Sequence, residues 1–329
     1  MPRLARAGGR LRAGLSGLAL LAAPFATLFD PLPAGAAEAV VTVQGANAVV
    51  ILDLDAGTVA ARIPVPGSPA GIALSPDRRI AYVTRPDGPG LAILDLDARR
   101  VTGTLPLPGG PLGIACNPRS GAVYVADWYG KRLFVLVPKE GTLVPDGEIA
   151  VGASPSGIAV TPDGSTLLVA NREADTVSVV DAASRRETKA IPVGKHPFGI
   201  TLDPDGKRAY TANVLSDDVS VIDLAEGREI GRVNTGERPY VVALAKGRGF
   251  VTDQYTASVT VFDLASLERL AAVDVGDHPE GIAASRDGTR LYVANWGANT
   301  VSVIDSGTLS VTKEIAVGDG PRAFGDFLR

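Results

Sequence analysis

Pro279-Glu280-Gly281-Ile282-Ala283-Ala284-Ser285-Arg286-Asp287-Gly288 opens a unit that returns all along the chain. Its head, Pro-x-Gly-Ile-Ala, recurs as Pro69-Ala-Gly-Ile-Ala, Pro111-Leu-Gly-Ile-Ala and Pro155-Ser-Gly-Ile-Ala. Altered forms stand at Pro197-Phe-Gly-Ile-Thr, Pro239-Tyr-Val-Val-Ala and Pro321-Arg-Ala-Phe-Gly. The steps between these prolines are 42, 44, 42, 42, 40 and 42 residues. A period near 40 built from short alternating β segments predicts a β-propeller with one four-stranded blade per repeat.

Within the unit, Gly281-Ile-Ala-Ala-Ser reads as the first strand, A, rich in small residues because seven such strands crowd one axis. Arg286-Asp-Gly is a turn, with Gly288 supplying the positive φ that a tight hairpin needs. Leu291-Tyr-Val-Ala-Asn is strand B, Trp296-Gly-Ala-Asn a loop, Thr300-Val-Ser-Val-Ile-Asp strand C and Thr312-Lys-Glu-Ile-Ala-Val strand D. Strand D carries Pro64 and Pro192 in other repeats, and only an edge strand tolerates the missing donor. The final strand A, Pro321 to Phe327, has no B, C or D after it. Those strands stand at the other end, at Val40–Val43, Val49–Asp53 and Thr58–Val65, and the loop Gln44-Gly-Ala-Asn47 matches Trp296-Gly-Ala-Asn299 in register. The expected fold is all-β: one seven-bladed propeller over residues 38–329, closed by the C-terminal strand pairing with the N-terminal strands.

Residues 1–37 fall outside that array. Arg3, Arg6, Arg10 and Arg12, an apolar run from about Leu15 to Leu28, and Ala34-Gly35-Ala36-Ala37 read as a Sec-type signal peptide. The run is too short for a comfortable membrane span, so no transmembrane segment is expected after cleavage and the location is periplasmic or secreted. Cutting after residue 36 leaves 28 basic and 35 acidic residues, a net charge of about −7. That balance argues against general phosphate-backbone binding and leaves nucleic acid only a local basic patch. The single Cys116 forms no internal disulfide, and it shares its repeat position with Leu74, Val160 and Leu202.

Leu291-Tyr-Val-Ala-Asn, Leu168-Val-Ala-Asn-Arg and Ala209-Tyr-Thr-Ala-Asn, with Thr-Val-Ser-Val-Ile-Asp following, resemble the YVTN-repeat β-propellers, including the YncE-like periplasmic proteins. The likeness runs from about Ala39 to Phe327. It implies a secreted or cell-surface propeller of a family in which some members are proposed to bind ligands or DNA. More distant propellers include lactonases, amine-dehydrogenase subunits and haem d1 proteins, and the fold alone does not choose among them.

Antiparallel order puts the D-to-A crossovers and the B–C loops at one end of the ring, the expected mouth of an axial ligand funnel. Immediately before the anchor proline stand Ser68, Gly110, Ser154, His196, Arg238, His278 and Gly320; immediately after it stand Ala70, Leu112, Ser156, Phe198, Tyr240, Glu280 and Arg322. Three consecutive blades are small here and the next four are large, charged or aromatic. Arg238, Tyr240, His278, Glu280, Arg322 and His196 are therefore read as one ligand-binding half, its Arg pair suited to a small polar or anionic ligand. Replacing Arg238 and Glu280 with Ala is expected to remove binding with little change in melting temperature. The B–C loops add Arg85, Trp128, Tyr129, Arg172, Glu173, Tyr255 and Trp296; Trp128 and Trp296 suit either stacking on a flat ligand or packing beneath neighbouring loops.

Asn171, Asn213 and Asn295 share one repeat position with Asp127 and Asp253, a pattern that suits loop caps. His196, His278 and Asp253 form a weak metal candidate, because sevenfold spacing keeps the histidines apart. No catalytic residue and no cofactor is predicted. The chain has no Cys-x-x-Cys-His, which excludes covalent c-type haem, and no Met beyond Met1. It also lacks G-x-S-x-G, H-E-x-x-H and P-loop motifs. The expected function is a secreted scaffold that binds a ligand or docks a periplasmic protein without catalysis of its own. The alternative is a lactonase-like hydrolase or an accessory subunit of a quinone or dehydrogenase redox system.

Overall fold

The computed structural model describes Pro2 and residues 37–329, so the segment read as a leader lies outside the described residues apart from Pro2 and Ala37. Seven antiparallel blades stand around an axis. Blade 1 contains Glu38–Val43, Ala48–Asp53 and Thr58–Pro64; blades 2 to 7 begin at Gly71, Pro111, Pro155, Pro197, Pro239 and Pro279. Each of blades 2 to 7 runs A-B-C-D in sheet order. Strands B and C are buried almost throughout, as in Ala48–Asp53 and Arg208–Asn213, because both of their faces pack on neighbouring blades. Strand D is the exposed rim, and Pro64 and Pro192 both face solvent there.

The ring closes as the repeat phase requires. The C-terminal segment supplies strand A of blade 1, antiparallel to Glu38–Val43, with bridges Ala39–Leu328 and Val43–Pro321. Val40 N donates to Phe327 O at 2.8 Å, Arg322 N to Thr42 O at 2.9 Å, and Arg329 N to Glu38 O at 2.7 Å. On its other edge Phe324–Gly325 pairs in parallel with Gly71–Ile72 of blade 2.

The anchor motif has a specific packing reason. A β-carbon on Gly71 would collide with Leu112 O of the next blade, one on Gly157 with Phe198 O, one on Gly199 with Tyr240 O, and one on Gly281 with Ala323 O. In these blades strand A thus carries its neighbour's carbonyl directly on its backbone, where only glycine leaves the room, while blades 6 and 1 have Val241 and Ala323 at this position. A strand-B hydroxyl meets the corresponding carbonyl at three joints: Thr84 Oγ1 donates to Leu112 O, Thr252 Oγ1 to Glu280 O and Thr42 Oγ1 to Ala70 O, each at 2.7 Å, the last two where Val241 and Ala323 replace the glycine. At the far end, the acids ending strand C form turns as read from the sequence; Asp53 Oδ1 accepts from Asp55 N at 3.0 Å and Ala56 N at 2.8 Å.

Phe327, 1% exposed, lies in the core shared by blades 1, 2 and 7. Phe327→Ala is expected to cost about 3–5 kcal/mol in chemical denaturation. A chain ending at Gly320 should lose the single cooperative transition altogether, since blade 1 would then lack its innermost strand.

Candidate functional site

The crossover end is built from two positions per blade that differ in direction. The residue after the anchor proline faces inward and is buried at Ala70, Leu112, Ser156, Phe198 and Glu280. The residue before it takes a left-handed backbone, with φ of 56° at Ser68, 52° at Ser154, 55° at His196, 57° at Arg238 and 50° at His278. That conformation is uncommon outside glycine, and its recurrence makes it part of the blade-to-blade turn rather than a local accident. Asn and Asp side chains from the B–C loops hold these turns in place. Asn47 Oδ1 accepts from Ser68 N at 3.0 Å, Asp175 Oδ1 from His196 N at 2.9 Å, and Asp217 Oδ1 from Arg238 N at 2.9 Å.

The inward positions meet at the axis. Arg322 Nε donates to Glu280 Oε2 at 2.5 Å and its Nη2 to Glu280 Oε1 at 3.2 Å, a bidentate pair. Nη2 also donates to Tyr240 Oη at 2.9 Å, and Gln254 Nε2 donates to Glu280 Oε1 at 2.9 Å. Burial pushes the Glu280 carboxyl above its ordinary range while the Arg322 charge opposes it, and burial likewise raises the Tyr240 phenol. Tyr240 stacks on Phe198 with centroids 4.0 Å apart, and Phe198 meets Phe324 at 5.5 Å and Trp128 at 6.1 Å, both edge to face. Phe198, Phe324 and Gln254 belong to this cluster but were not singled out from the sequence as binding residues. Phe198 and Tyr240 share a repeat position, which was the available signal.

This packing changes the picture of an open funnel at the crossover end. Its centre is filled by the aromatic layer and the Arg322–Glu280 pair. The axial cavity, about 510 Å³, is lined by strand-A residues such as Leu74, Val160, Leu202 and Leu244 and by Pro118 and Pro204 of the A–B turns. Phe198 and Phe324 of the aromatic layer also line it, whereas Tyr240, Glu280 and Arg322 do not. Cys116 is half-buried and faces this cavity, and burial pushes its thiol up to about 12, which leaves it a weak nucleophile at neutral pH.

The outward positions form a separate row. The Arg238 guanidinium lies 5.4 Å from the Tyr255 ring centroid, Tyr255 is 5.6 Å from His278, and His278 is 6.0 Å from Trp296. His278 Nδ1 is 2.9 Å from Asp277 Oδ1. His196 stands apart from this row, its Nε2 3.8 Å from Glu173 Oε2. Trp128 is half-buried under Arg172, at 5.3 Å. The structure therefore gathers Tyr240, Glu280 and Arg322 into one cluster, and Arg238, His278 and Trp296 into a second. His196 joins neither. Among the described residues no three His, Cys, Asp or Glu side chains are grouped to hold a metal.

Asp253, fully buried, sits at the position of Asn171, Asn213 and Asn295. Thr260 Oγ1 donates to its Oδ2 at 2.6 Å, where Asn171 Nδ2 instead donates to Ser178 Oγ at 2.7 Å and Asn295 Nδ2 to Ser302 Oγ at 2.7 Å. Burial pushes the Asp253 carboxyl up to about 6, against the Thr260 bond. The unfolded chain deprotonates near pH 4, so ionisation penalises the folded state progressively from about pH 4 to pH 6 and fully above that. Asp253→Asn should raise stability at pH 7 by roughly 2–3 kcal/mol, with the gain gone below pH 4 in pH-dependent denaturation.

For Glu280 the geometry replaces the expectation of a stability-neutral alanine. Removing it strands the buried Arg322 charge, so Glu280→Ala and Arg322→Ala should each cost about 3–5 kcal/mol. Arg238→Ala, on the exposed row, should change the melting temperature little; thermal denaturation of the three variants separates the two clusters.

A family model described as YNCE-like beta-propeller matches residues 143–244. No curated protein sequence matches the chain at a significant level. Among solved structures, the periplasmic gluconolactonase of Pseudomonas aeruginosa superposes with a TM-score of 0.75 at 18% identity, covering 89% of this chain and 98% of that one. Hydrazine synthase of Kuenenia stuttgartiensis gives 0.70 at 21% identity, covering 78% and 89%. Dihydro-heme d1 dehydrogenase NirN gives 0.65 at 19%, covering 87% and 74%. At such identities these likenesses speak to fold alone. Over residues 143–244 the chain is thus similar to the YncE-like β-propellers, within a ring of seven closed blades.

Proposed function

We propose that this chain is a secreted or periplasmic scaffold without catalysis of its own, which receives a protein partner on its crossover end. The observation that carries this reading is the placement of exposed apolar side chains. Among the described residues six large ones are exposed, and four of them, Tyr129, Leu215, Tyr255 and Trp296, stand on B–C loops at that single end. Tyr255 and Trp296 flank His278 and adjoin Arg238, the mixture of aromatic and guanidinium groups that anchors protein interfaces. The centre of the same end supports docking over turnover. The Glu280 carboxylate there is held by Arg322 and Gln254 rather than free to exchange a proton with a substrate.

The test compares immobilised residues 38–329 with the Tyr255→Ala/Trp296→Ala double variant in capture from the envelope fraction of the source organism, alongside hydrolysis assays on gluconolactones. The expected result is a discrete protein retained by the wild type and reduced at least about tenfold by the variant, at unchanged melting temperature. Equal capture by both proteins overturns the docking face. Lactone turnover that Glu280→Gln abolishes overturns the scaffold and establishes the hydrolase.

A further inference from the structure

Arg85 is 5% exposed, yet among the described residues no Asp or Glu oxygen lies within 4.0 Å of its guanidinium. It ends strand B of blade 2, Ile80–Arg85, at the position filled elsewhere by Asp127, Asn171, Asn213, Asp253 and Asn295. Those short side chains find partners inside their own blades, such as Thr176 and Ser178 for Asn171. Blade 2 has Gly90 and Ala92 in place of those two hydroxyl residues. It has therefore lost the internal partner and gained a cation.

The guanidinium is nearly empty-handed. Nη2 donates to Leu91 O at 3.3 Å, Nε is sealed from solvent with no partner, and Nη1 has no partner but is not sealed. A guanidinium carries five N–H donors, and one is in use. The walls around its stem are fixed backbone: β-carbons on Gly67 and Gly88 would fall 3.4 and 3.1 Å from Arg85 Cβ, and Asn47 Oδ1 pins the amides of Gly67 and Ser68. Burial lowers the Arg85 pKa with no acidic neighbour to oppose it. A buried charge without a partner costs several kcal/mol, and proteins that keep one supply a counter-charge.

We propose that Arg85 is the anchor of a small oxyanion site, taking a carboxylate or a phosphate-type ion between the Pro66–Ser68 crossover and the Pro86–Gly90 loop. The planar fork of the guanidinium matches either ion through paired N–H···O bonds. The site lies on blade 2, away from the Arg238–Trp296 row, and does not depend on the docking reading.

The test uses residues 38–329 as wild type, Arg85→Met and Arg85→Lys, in Tris buffer at constant ionic strength with sodium chloride exchanged stepwise for acetate, phosphate or sulfate. The wild-type melting temperature should rise saturably, by about 5 °C, with at least one oxyanion, and titration calorimetry should give one site per chain. Arg85→Met should show no rise and should equal or exceed the wild type in chloride alone; Arg85→Lys should show a reduced rise. Acetate and phosphate arms distinguish a carboxylate site from a phosphate site. A wild type indifferent to all three ions, or an equal rise in Arg85→Met, overturns the proposal. If Arg85→Met does not fold, the Arg85→Lys comparison and the calorimetry decide by the same criteria.

Discussion

Everything in this ring depends on one contact repeated at the joints between blades. The carbonyl of the residue after the anchor proline rests on the neighbouring blade's glycine at most joints, and at three joints a strand-B threonine hydroxyl donates to it. A buried carbonyl with no partner would be expensive, and a side chain at the glycine would force the blades apart. The contact therefore sets blade spacing and blade tilt together. It also fixes where the flanking residues go, which is why the crossover end has such regular geometry.

That regularity lets differences between blades act. The inward position, small in blades 2 to 4, grows to Phe198, Tyr240, Glu280 and Arg322 in the blades that follow, and these four side chains fill the axis between them. The outward position is lifted by a left-handed backbone, so Arg238 and His278 project to the surface beside Tyr255 and Trp296. One half of the end is thus a sealed centre with an aromatic and cationic border. The opposite half, with Ser68, Gly110 and Ser154, stays low, and Arg85 lies beneath it.

The sequence carried the architecture because phase and period survive any change of side chain. Pro321–Phe327 could be recognised as an orphan strand A, and its missing partners found at Val40–Val65, by counting alone. The site was only partly legible. Departure from the repeat singled out Tyr240, Glu280 and Arg322, which the structure brings into contact, but whether a side chain turns to the axis or to solvent is not displayed by composition. Arg322 therefore looked available to a ligand when it is bound to Glu280. The role of Thr42, Thr84 and Thr252 stayed hidden for a related reason: each acceptor is a backbone carbonyl in another blade, about 28 residues away. Asp253 looked like a spare acid, whereas its burial makes it a poor substitute for asparagine.

The Arg322 clasp sits near the beginning of the closing strand, and this gives the ring a sense of direction. Fraying from Arg329 releases Leu328, Phe327 and Phe324 in turn and arrives at Arg322 last. Arg322 grips blade 7 through Glu280 and blade 6 through Tyr240, so a loosened tail leaves the circle latched. Breathing at that seam is then graded, the Arg329 pair to Glu38 giving way before the Arg322 pair to Glu280.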